Sequence, residues 1–100
     1  MTLSNLSFNK KELEDVCREN DVLSLAVFGS VARGENKPES DVDLLVKFSN
    51  PKSLFELVDL EARFSVIFGG KKTDLVTEGF LSPFIRDSVK RESRVIFKNG

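Results

Sequence analysis

Two carboxylates, Asp41 and Asp43, stand two residues apart at the start of an apolar run. Alternate residues of an extended strand point to the same side, with their Cα atoms about 6.6 Å apart. Two acids placed in this way can bind one hard divalent cation or flank a pair of them. Phosphoryl-transfer sites hold Mg²⁺ against nucleotide phosphates with acids of this kind. The spacing on its own also suits solvated acids at a strand edge, and it is the preceding glycine-serine turn that favours a magnesium site.

A glycine-serine turn, Gly29 and Ser30, precedes these acids and ends an apolar run over residues 23–28. Glycine lets the chain turn sharply and brings the backbone close to a ligand. We expect Ser30 to cap a short helical turn over residues 31–33 and, with the following N–H groups, to receive a phosphate. Arg33, one turn further on, can reach a phosphate in a forked geometry or form a structural salt bridge.

The amino-acid composition excludes several classes of catalytic and binding site. The chain has no histidine, which excludes Ser-His triads and histidine metal sites. Its single cysteine, Cys17, forms no intramolecular disulfide and is predicted to be a buried thiol on a helix face. The net charge is −1, with no polybasic tract, so no strong nucleic-acid signal is present.

The hydrophobic pattern predicts alternating strands and helices, with Asn9 and Ser53 as helix N-caps and Pro83 in a first turn. The buried stripe of the long central helix is predicted to be Leu54, Leu57, Val58, Phe64 and Ile67 or Phe68. The predicted strands cover residues 22–28, 41–48, 72–76 and 93–97, and the predicted helices cover residues 10–20, 53–68 and 82–92.

These elements predict an α/β fold (α+β by some schemes), a small mixed β-sheet flanked by helices. Residues 1–100 are expected to form a single domain, because a chain of this length can bury one core. Gly29 and Ser30 end the first main strand, whereas Asp41 and Asp43 begin the second. The turn and the acids can meet only if these two strands run antiparallel.

The string G-S-x-A-R-G-E at residues 29–35, followed by S-D-x-D-L-L-V at residues 40–46, resembles the signature of the nucleotidyltransferase superfamily that includes DNA polymerase β. The chain is most similar to the minimal nucleotidyltransferases of prokaryotes, which are paired with HEPN-domain toxins. The likeness covers residues 22–97. It implies a polymerase β-like nucleotidyltransferase fold.

The resemblance also implies a third site acid on a later strand, and Asp74 in the string Lys72-Thr73-Asp74-Leu75-Val76 matches it. Asp41, Asp43 and Asp74 would then be both the metal ligands and the catalytic acids, with Gly29, Ser30 and Arg33 on the nucleotide phosphates. Two Mg²⁺ ions are expected around the α-phosphate of ATP. Asp74 can join the other acids if its strand runs parallel to the second strand, with the long helix as the crossover.

The function implied by the resemblance is that of a Mg²⁺-dependent protein adenylyltransferase. It would act as an antitoxin by moving AMP from ATP to a tyrosine hydroxyl of a cognate HEPN ribonuclease toxin. Two alternatives stay open: occlusion of the toxin by binding without transfer, and a subunit that modifies a small molecule such as an antibiotic. The small size favours an acceptor on another macromolecule.

No signal peptide is evident at residues 1–8, and no apolar run approaches the ~20 residues of a membrane span. We therefore expect a cytoplasmic protein without a membrane partner, and the resemblance implies a prokaryotic source.

Overall fold

The computed structural model describes residues 2–3, 6–35, 37 and 40–99. A four-stranded mixed sheet in the order β5-β4-β3-β6 lies at its centre, and a separate pair, β1-β2, lies outside it. The elements in chain order are β1 (Thr2–Leu3), β2 (Leu6–Ser7), α1 (Lys10–Glu19), β3 (Val22–Phe28), α2 (Ser30–Arg33), β4 (Val42–Phe48), α3 (Leu54–Ile67), β5 (Thr73–Thr77), a 3-10 turn (Glu78–Phe80), α4 (Pro83–Glu92) and β6 (Arg94–Lys98).

The strand directions agree with those predicted from the placement of the site residues. β3 runs antiparallel to β4, and β5 runs parallel to β4. α3 is the crossover that a parallel pair requires. The predicted mixed sheet flanked by helices is confirmed, with strand bounds that differ by one residue at most.

One face of the sheet carries the main core. Along β4, the side chains of Val42, Leu44 and Val46 are buried, whereas Asp43 and Leu45 between them point to the other face. The buried residues form one cluster with side chains of α1 and α3, including Leu13, Cys17, Leu60 and Phe64. The second face, which carries the acids, therefore lies opposite the helices α1 and α3.

Local capping chemistry explains where the longer helices begin. The side chain of Asn9 accepts a hydrogen bond from the N–H of Glu12, and Ser53 and Glu56 form a complete capping box. Such a cap typically contributes about 1 kcal/mol. The prediction that Ser30 caps the short helical turn was wrong. Gly29 is the N-cap of α2 and Ser30 is its first residue, because the positive φ of Gly29 already turns the chain.

The predicted buried stripe of α3 was wrong in its first half. Leu54 and Val58 are 74% and 58% exposed, whereas Leu60 is buried together with the correctly predicted Phe64. Apolar residues cover most of the circumference of α3 and leave a narrow charged strip formed by Glu56, Asp59 and Arg63, so several stripes satisfy a helical period. Only packing against the sheet selects the face that includes Leu60 and Phe64, with Phe68 following them.

Three short elements carry too little pattern to be predicted from sequence. The strands β1 and β2 contain two residues each, and the 3-10 turn Glu78–Phe80 contains three. Within the described part of the chain, no helix has both the length and the apolar character needed to cross a bilayer.

Cys17 is fully buried in the core, which agrees with its predicted role. Burial raises the pKa of the Cys17 thiol to about 12. At pH 8 only about 10⁻⁴ of the thiol is then ionised, and the thiolate is the reactive form. We expect the native protein to react with a thiol reagent at least 100-fold more slowly than the urea-unfolded protein, measured by absorbance at pH 8. Equal rates would contradict a buried thiol.

Candidate functional site

The site lies at one end of the central strands, where Asp43 and Asp74 occupy neighbouring positions. Asp43 of β4 has Asp74 of β5 as its partner on one side and Phe28 of β3 on the other. Side chains of directly paired residues in a sheet share a face, and adjacent strands are about 4.8 Å apart. The sheet therefore brings together two acids that are far apart in the sequence.

Contacts from α3 hold the strand that carries Asp74. The backbone carbonyl of Glu61 accepts a hydrogen bond of 2.7 Å from the Thr73 hydroxyl, and the Glu61 carboxylate accepts one of 3.1 Å from the N–H of Leu75. The two residues that flank Asp74 are therefore both tied to Glu61. β5 is an edge strand, and Glu61 satisfies a donor that would otherwise lack a strand partner. The contact positions Asp74 and protects the edge.

Asp41 directly precedes β4 and is exposed. A reciprocal pair of hydrogen bonds joins Lys37 and Ser40: Ser40 N–H donates to the Lys37 carbonyl, and Lys37 N–H donates to the Ser40 hydroxyl, at 2.9 and 2.8 Å. Val42 N–H then donates to the carbonyl of Lys72 at 2.8 Å, which joins the start of β4 to the start of β5. Asp41 thus lies directly beside the point where these two strands join.

Gly29 lies directly against Asp43. Its φ of +70° with ψ of −145° is a conformation that side chains rarely adopt. A Cβ built on Gly29 would overlap Oδ2 of Asp43 and lie 3.3 Å from its Cγ. Two independent constraints, conformation and space, therefore require glycine at this position.

The pKa of Asp43 depends on the charges of the two other acids. Burial, followed by the charges of Asp74 and then Asp41, raises the pKa of Asp43, and Arg33 partly opposes this. No ion pair between described residues involves any of the three acids. The acid end of the sheet is therefore a concentration of negative charge without a cationic side chain bound to it.

The phosphate-binding candidates lie beside this charge. Ser30 is half-buried, and its hydroxyl makes no hydrogen bond to any other described residue. Arg33 forms ion pairs with Glu35, through Nε at 3.2 Å, and with Glu92, through Nη1 at 3.3 Å. The hydrogen bond with Glu35 and the charges of Glu35 and Glu92 raise the pKa of Arg33. Of the two roles considered for Arg33, the structure shows the salt bridge. Phosphate contact stays a prediction.

The three carboxylates are of the right chemical type to bind a hard divalent ion, but their side chains are not grouped around a single point. Among the described residues, no three acidic, histidine or cysteine side chains gather at metal-binding distances. Asp41, Asp43 and Asp74 are all carboxylates, the ligands that Mg²⁺ prefers, and they are close enough to couple electrostatically. Asp43 and Asp74 are register partners on neighbouring strands, and Asp41 lies two residues before Asp43.

A sizeable cavity lies away from the acids. It has a volume of about 570 Å³ and is lined by Phe48, Pro51, Leu57 and Phe80, among others. Asp43 and Phe48 are five residues apart on β4, which corresponds to about 17 Å. This groove is mostly apolar and contains none of the three acids. The acid end of the sheet therefore remains the candidate for chemistry.

Glu92 is a site residue that the sequence analysis did not identify. Its carboxylate accepts hydrogen bonds from the N–H of Gly29 at 3.1 Å and from Nη1 of Arg33 at 3.3 Å. The sequence held one weak indication of a special role for Glu92. It is an acidic residue at the end of a helix whose last turn is otherwise basic, with Lys90 and Arg91.

Comparison with known proteins agrees with the predicted family. The family described as "nucleotidyltransferase domain" matches residues 10–96. The protein adenylyltransferase MntA of Thermococcus cleftensis is 39% identical over 89 residues, which are 89% of this chain and 86% of that protein. The family prediction is confirmed.

Solved structures agree with the fold. A structure described as a proposed minimal nucleotidyltransferase has a TM-score of 0.72 and 34% identity, with 85% of this chain and 86% of that chain covered. An MNT antitoxin complex with a tri-AMPylated HEPN toxin from Shewanella oneidensis has a TM-score of 0.65. At 15% identity over 90% of this chain and 70% of that chain, the second likeness shows the fold alone.

Proposed function

This chain belongs to the nucleotidyltransferase domain family, and from that premise we propose that it transfers AMP from ATP to a hydroxyl group of a HEPN-domain toxin. The chain is a nucleotidyltransferase. We propose the identity of its nucleotide, its metal and its acceptor, and the roles of its individual residues.

The observation that carries the proposal is the placement of three carboxylates opposite a glycine-serine turn. Asp43 and Asp74 are register partners, Asp41 lies two residues before Asp43, and Gly29 touches Asp43. A nucleotide bound between the turn and the acids would place its phosphates next to this negative charge, which no described ion pair neutralises. Divalent cations bound between the phosphates and the carboxylates would remove the repulsion between these groups. Bound Mg²⁺ would neutralise phosphate charge and lower the pKa of the acceptor hydroxyl.

The roles of the protein groups follow from this placement. Asp41 and Asp43 would hold Mg²⁺ against the phosphates. Asp74 would orient the acceptor hydroxyl or receive its proton as the hydroxyl attacks the α-phosphate and pyrophosphate leaves. Ser30 would donate its hydroxyl to a phosphate oxygen, and Arg33 would neutralise phosphate charge. Most of the rate enhancement would come from positioning and electrostatics, which few side chains can supply.

The proposed acceptor rests on the relatives. The Thermococcus cleftensis relative is named a protein adenylyltransferase, and the antitoxin complex of similar fold contains an AMPylated HEPN toxin. We therefore propose a HEPN toxin as the partner of this chain and a tyrosine hydroxyl near the toxin's active site as the acceptor.

The test is incubation of the purified chain with the product of the neighbouring gene, Mg²⁺ and ATP labelled in the α-phosphate. We expect label on the partner protein, and we expect EDTA to reduce transfer by more than about 100-fold, because the metal stabilises transition-state charge by several kcal/mol. ATP labelled in the γ-phosphate should leave the partner unlabelled. Label from the γ-position would identify a kinase reaction and contradict AMP transfer.

A second candidate function, neutralisation of the toxin by binding alone, is favoured by exposed apolar side chains. Phe55, Phe80 and Phe84 are 87%, 78% and 96% exposed. Large apolar side chains exposed to this extent are available for contact with a partner protein. The double variant Asp41→Asn/Asp43→Asn separates the two functions. Neutralisation of the toxin by occlusion should survive this change, whereas neutralisation by AMP transfer should be lost.

A further inference from the structure

Glu92 joins the end of α4 to the turn that is proposed to bind phosphate. Its Oε1 accepts hydrogen bonds from Gly29 N–H at 3.1 Å and from Arg33 Nη1 at 3.3 Å, and its Oε2 lies 3.4 Å from the same Nη1. The two donors precede Glu92 by 63 and 59 residues in the sequence. One carboxylate therefore anchors both ends of the short segment 29–33.

The position of Glu92 is electrostatically unfavourable within its own helix. The C-terminal end of a helix carries partial negative charge, which favours basic residues and disfavours a carboxylate. The preceding residues, Lys90 and Arg91, follow this preference, and Glu92 does not. The hydrogen bonds that Glu92 accepts from Arg33 and from the Gly29 N–H offset this unfavourable interaction of its carboxylate with the helix end.

Stability alone gives a weak reason for this arrangement. The side chains of Arg33 and Glu92 are 47% and 32% exposed, and ion pairs with such exposure contribute little to folding. The geometric effect is larger, because Gly29 is held from two sides. Its N–H is bound by Glu92, and its Cα lies against Asp43. Glu92 therefore sets the distance between the turn and the acids.

The guanidinium of Arg33 is oriented by the same contact. Glu35 binds Nε and Glu92 binds Nη1, and Nη2 makes no hydrogen bond to any described residue. Two carboxylates thus fix the plane of the guanidinium and leave one pair of donors available. A guanidinium fixed in this way loses little conformational freedom when it binds a phosphate.

We propose that Glu92 is a positioning residue for nucleotide binding: it holds Gly29 against Asp43 and orients Arg33 so that Nη2 can bind the triphosphate. This inference rests on the proposed function, because it assumes that ATP is bound between the turn and the acids. Glu92 itself contacts no reacting atom in this assignment.

The test compares Glu92→Ala, which removes both hydrogen bonds, with Glu92→Gln, which keeps an oxygen to accept from Gly29 N–H. Contacts that orient a binding group typically change affinity or activity by 10–100-fold. We expect Glu92→Ala to raise the KM for ATP about 10-fold with a change in kcat below about 3-fold. Glu92→Gln should recover much of the loss in KM. Isothermal titration calorimetry with Mg²⁺ and a non-hydrolysable ATP analogue should show the same order of affinities.

Glu78→Ala is the matched control. Glu78 pairs with Lys90 at 3.3 Å, so this change also removes an ion pair of α4 without touching the turn. It should leave the KM for ATP unchanged. In amide exchange measured by NMR without nucleotide, the Gly29 amide should lose protection in Glu92→Ala and keep it in Glu92→Gln and Glu78→Ala.

Three results would overturn the inference. An unchanged KM in Glu92→Ala would show that Glu92 does not position the site. A lower KM in both Glu92 variants would show that Glu92 competes with phosphate for Arg33. Equal effects in Glu92→Ala and Glu78→Ala would indicate a general loss of α4 packing. If the wild-type chain binds no ATP, the proposed function fails. The exchange rate of the Gly29 amide still shows, independently of ATP binding, whether Glu92 holds the Gly29 N–H.

Discussion

Replacing Asp43 with asparagine is expected to abolish AMP transfer without weakening the fold. Asparagine keeps the shape of the side chain that packs against Gly29, but it removes the charge that would hold Mg²⁺. We expect kcat/KM to fall by at least about 10³-fold, which corresponds to about 4 kcal/mol of transition-state stabilisation. The labelled-ATP assay measures the activity, and thermal unfolding without metal measures the stability.

The stability of the Asp43→Asn variant should rise rather than fall. Burial and the charges of Asp74 and Asp41 raise the pKa of Asp43, so the ionised carboxylate destabilises the folded state. An acid with a raised pKa in the folded state costs stability as the pH rises from its unfolded pKa through its folded pKa. The variant's advantage in Tm should therefore be present at pH 7 and disappear as the pH falls below about 4.

Asp15→Asn is a suitable control, because Asp15 is a half-exposed carboxylate on α1, paired with Lys11 at 3.2 Å. The control should leave transfer within about 2-fold of wild type, since a surface ion pair contributes at most about 1 kcal/mol. Full activity in Asp43→Asn would exclude Asp43 from the metal site. A lower Tm in that variant at pH 7 would show that the carboxylate stabilises the fold and is not under electrostatic strain.

Replacing Gly29 with alanine is expected to destabilise the protein by about 2–4 kcal/mol and to abolish nucleotide binding. The first cost is conformational, because φ +70° with ψ −145° is a region that only glycine readily adopts. The second cost is steric, because the new methyl group would overlap Oδ2 of Asp43. Urea unfolding measures the stability, and calorimetry with Mg²⁺ and an ATP analogue measures the binding.

Gly69→Ala separates the two costs. Gly69 also has a positive φ, +75°, but a Cβ there would meet nothing within 4 Å. This variant should lose only about 1 kcal/mol and keep full transfer activity. The double variant Gly29→Ala/Asp43→Ala removes the overlap, so its loss of stability should be smaller than the sum of the two single losses by at least about 1 kcal/mol. Strict additivity would show that the methyl group does not meet Asp43.

Sequence reasoning predicted much of the scaffold because the signals are local. The caps at Asn9 and Ser53 and the first-turn position of Pro83 mark helix starts through short-range hydrogen bonds and backbone conformations. The strand directions followed from one geometric condition, that the turn after β3 must meet the acids of β4 and β5. Each of these inferences needed only neighbouring residues or one rule of sheet topology.

The errors arose where a local pattern allowed several outcomes. α3 has apolar residues over most of its circumference, and the periodicity did not indicate whether Leu54 or Leu60 faces the core. Ser30 is a good capping residue by type, but the conformation of Gly29 made it the first residue of α2 instead. In both cases a neighbour or a packing partner decided between choices of similar local energy.

The sequence by itself determined the family and the relative directions of β3, β4 and β5, because a family signature depends on residue type and short spacing and the directions follow from one rule of sheet topology. The roles of the acids and the turn stay predictions. Only the tertiary structure decided that Gly29 is held between Asp43 and Glu92, and that Arg33 is shared by Glu35 and Glu92. Glu92 lies 63 residues from Gly29, and no periodicity or capping rule relates residues at that distance. Such contacts exist only once the sheet and α4 have packed and brought the end of the helix to the turn.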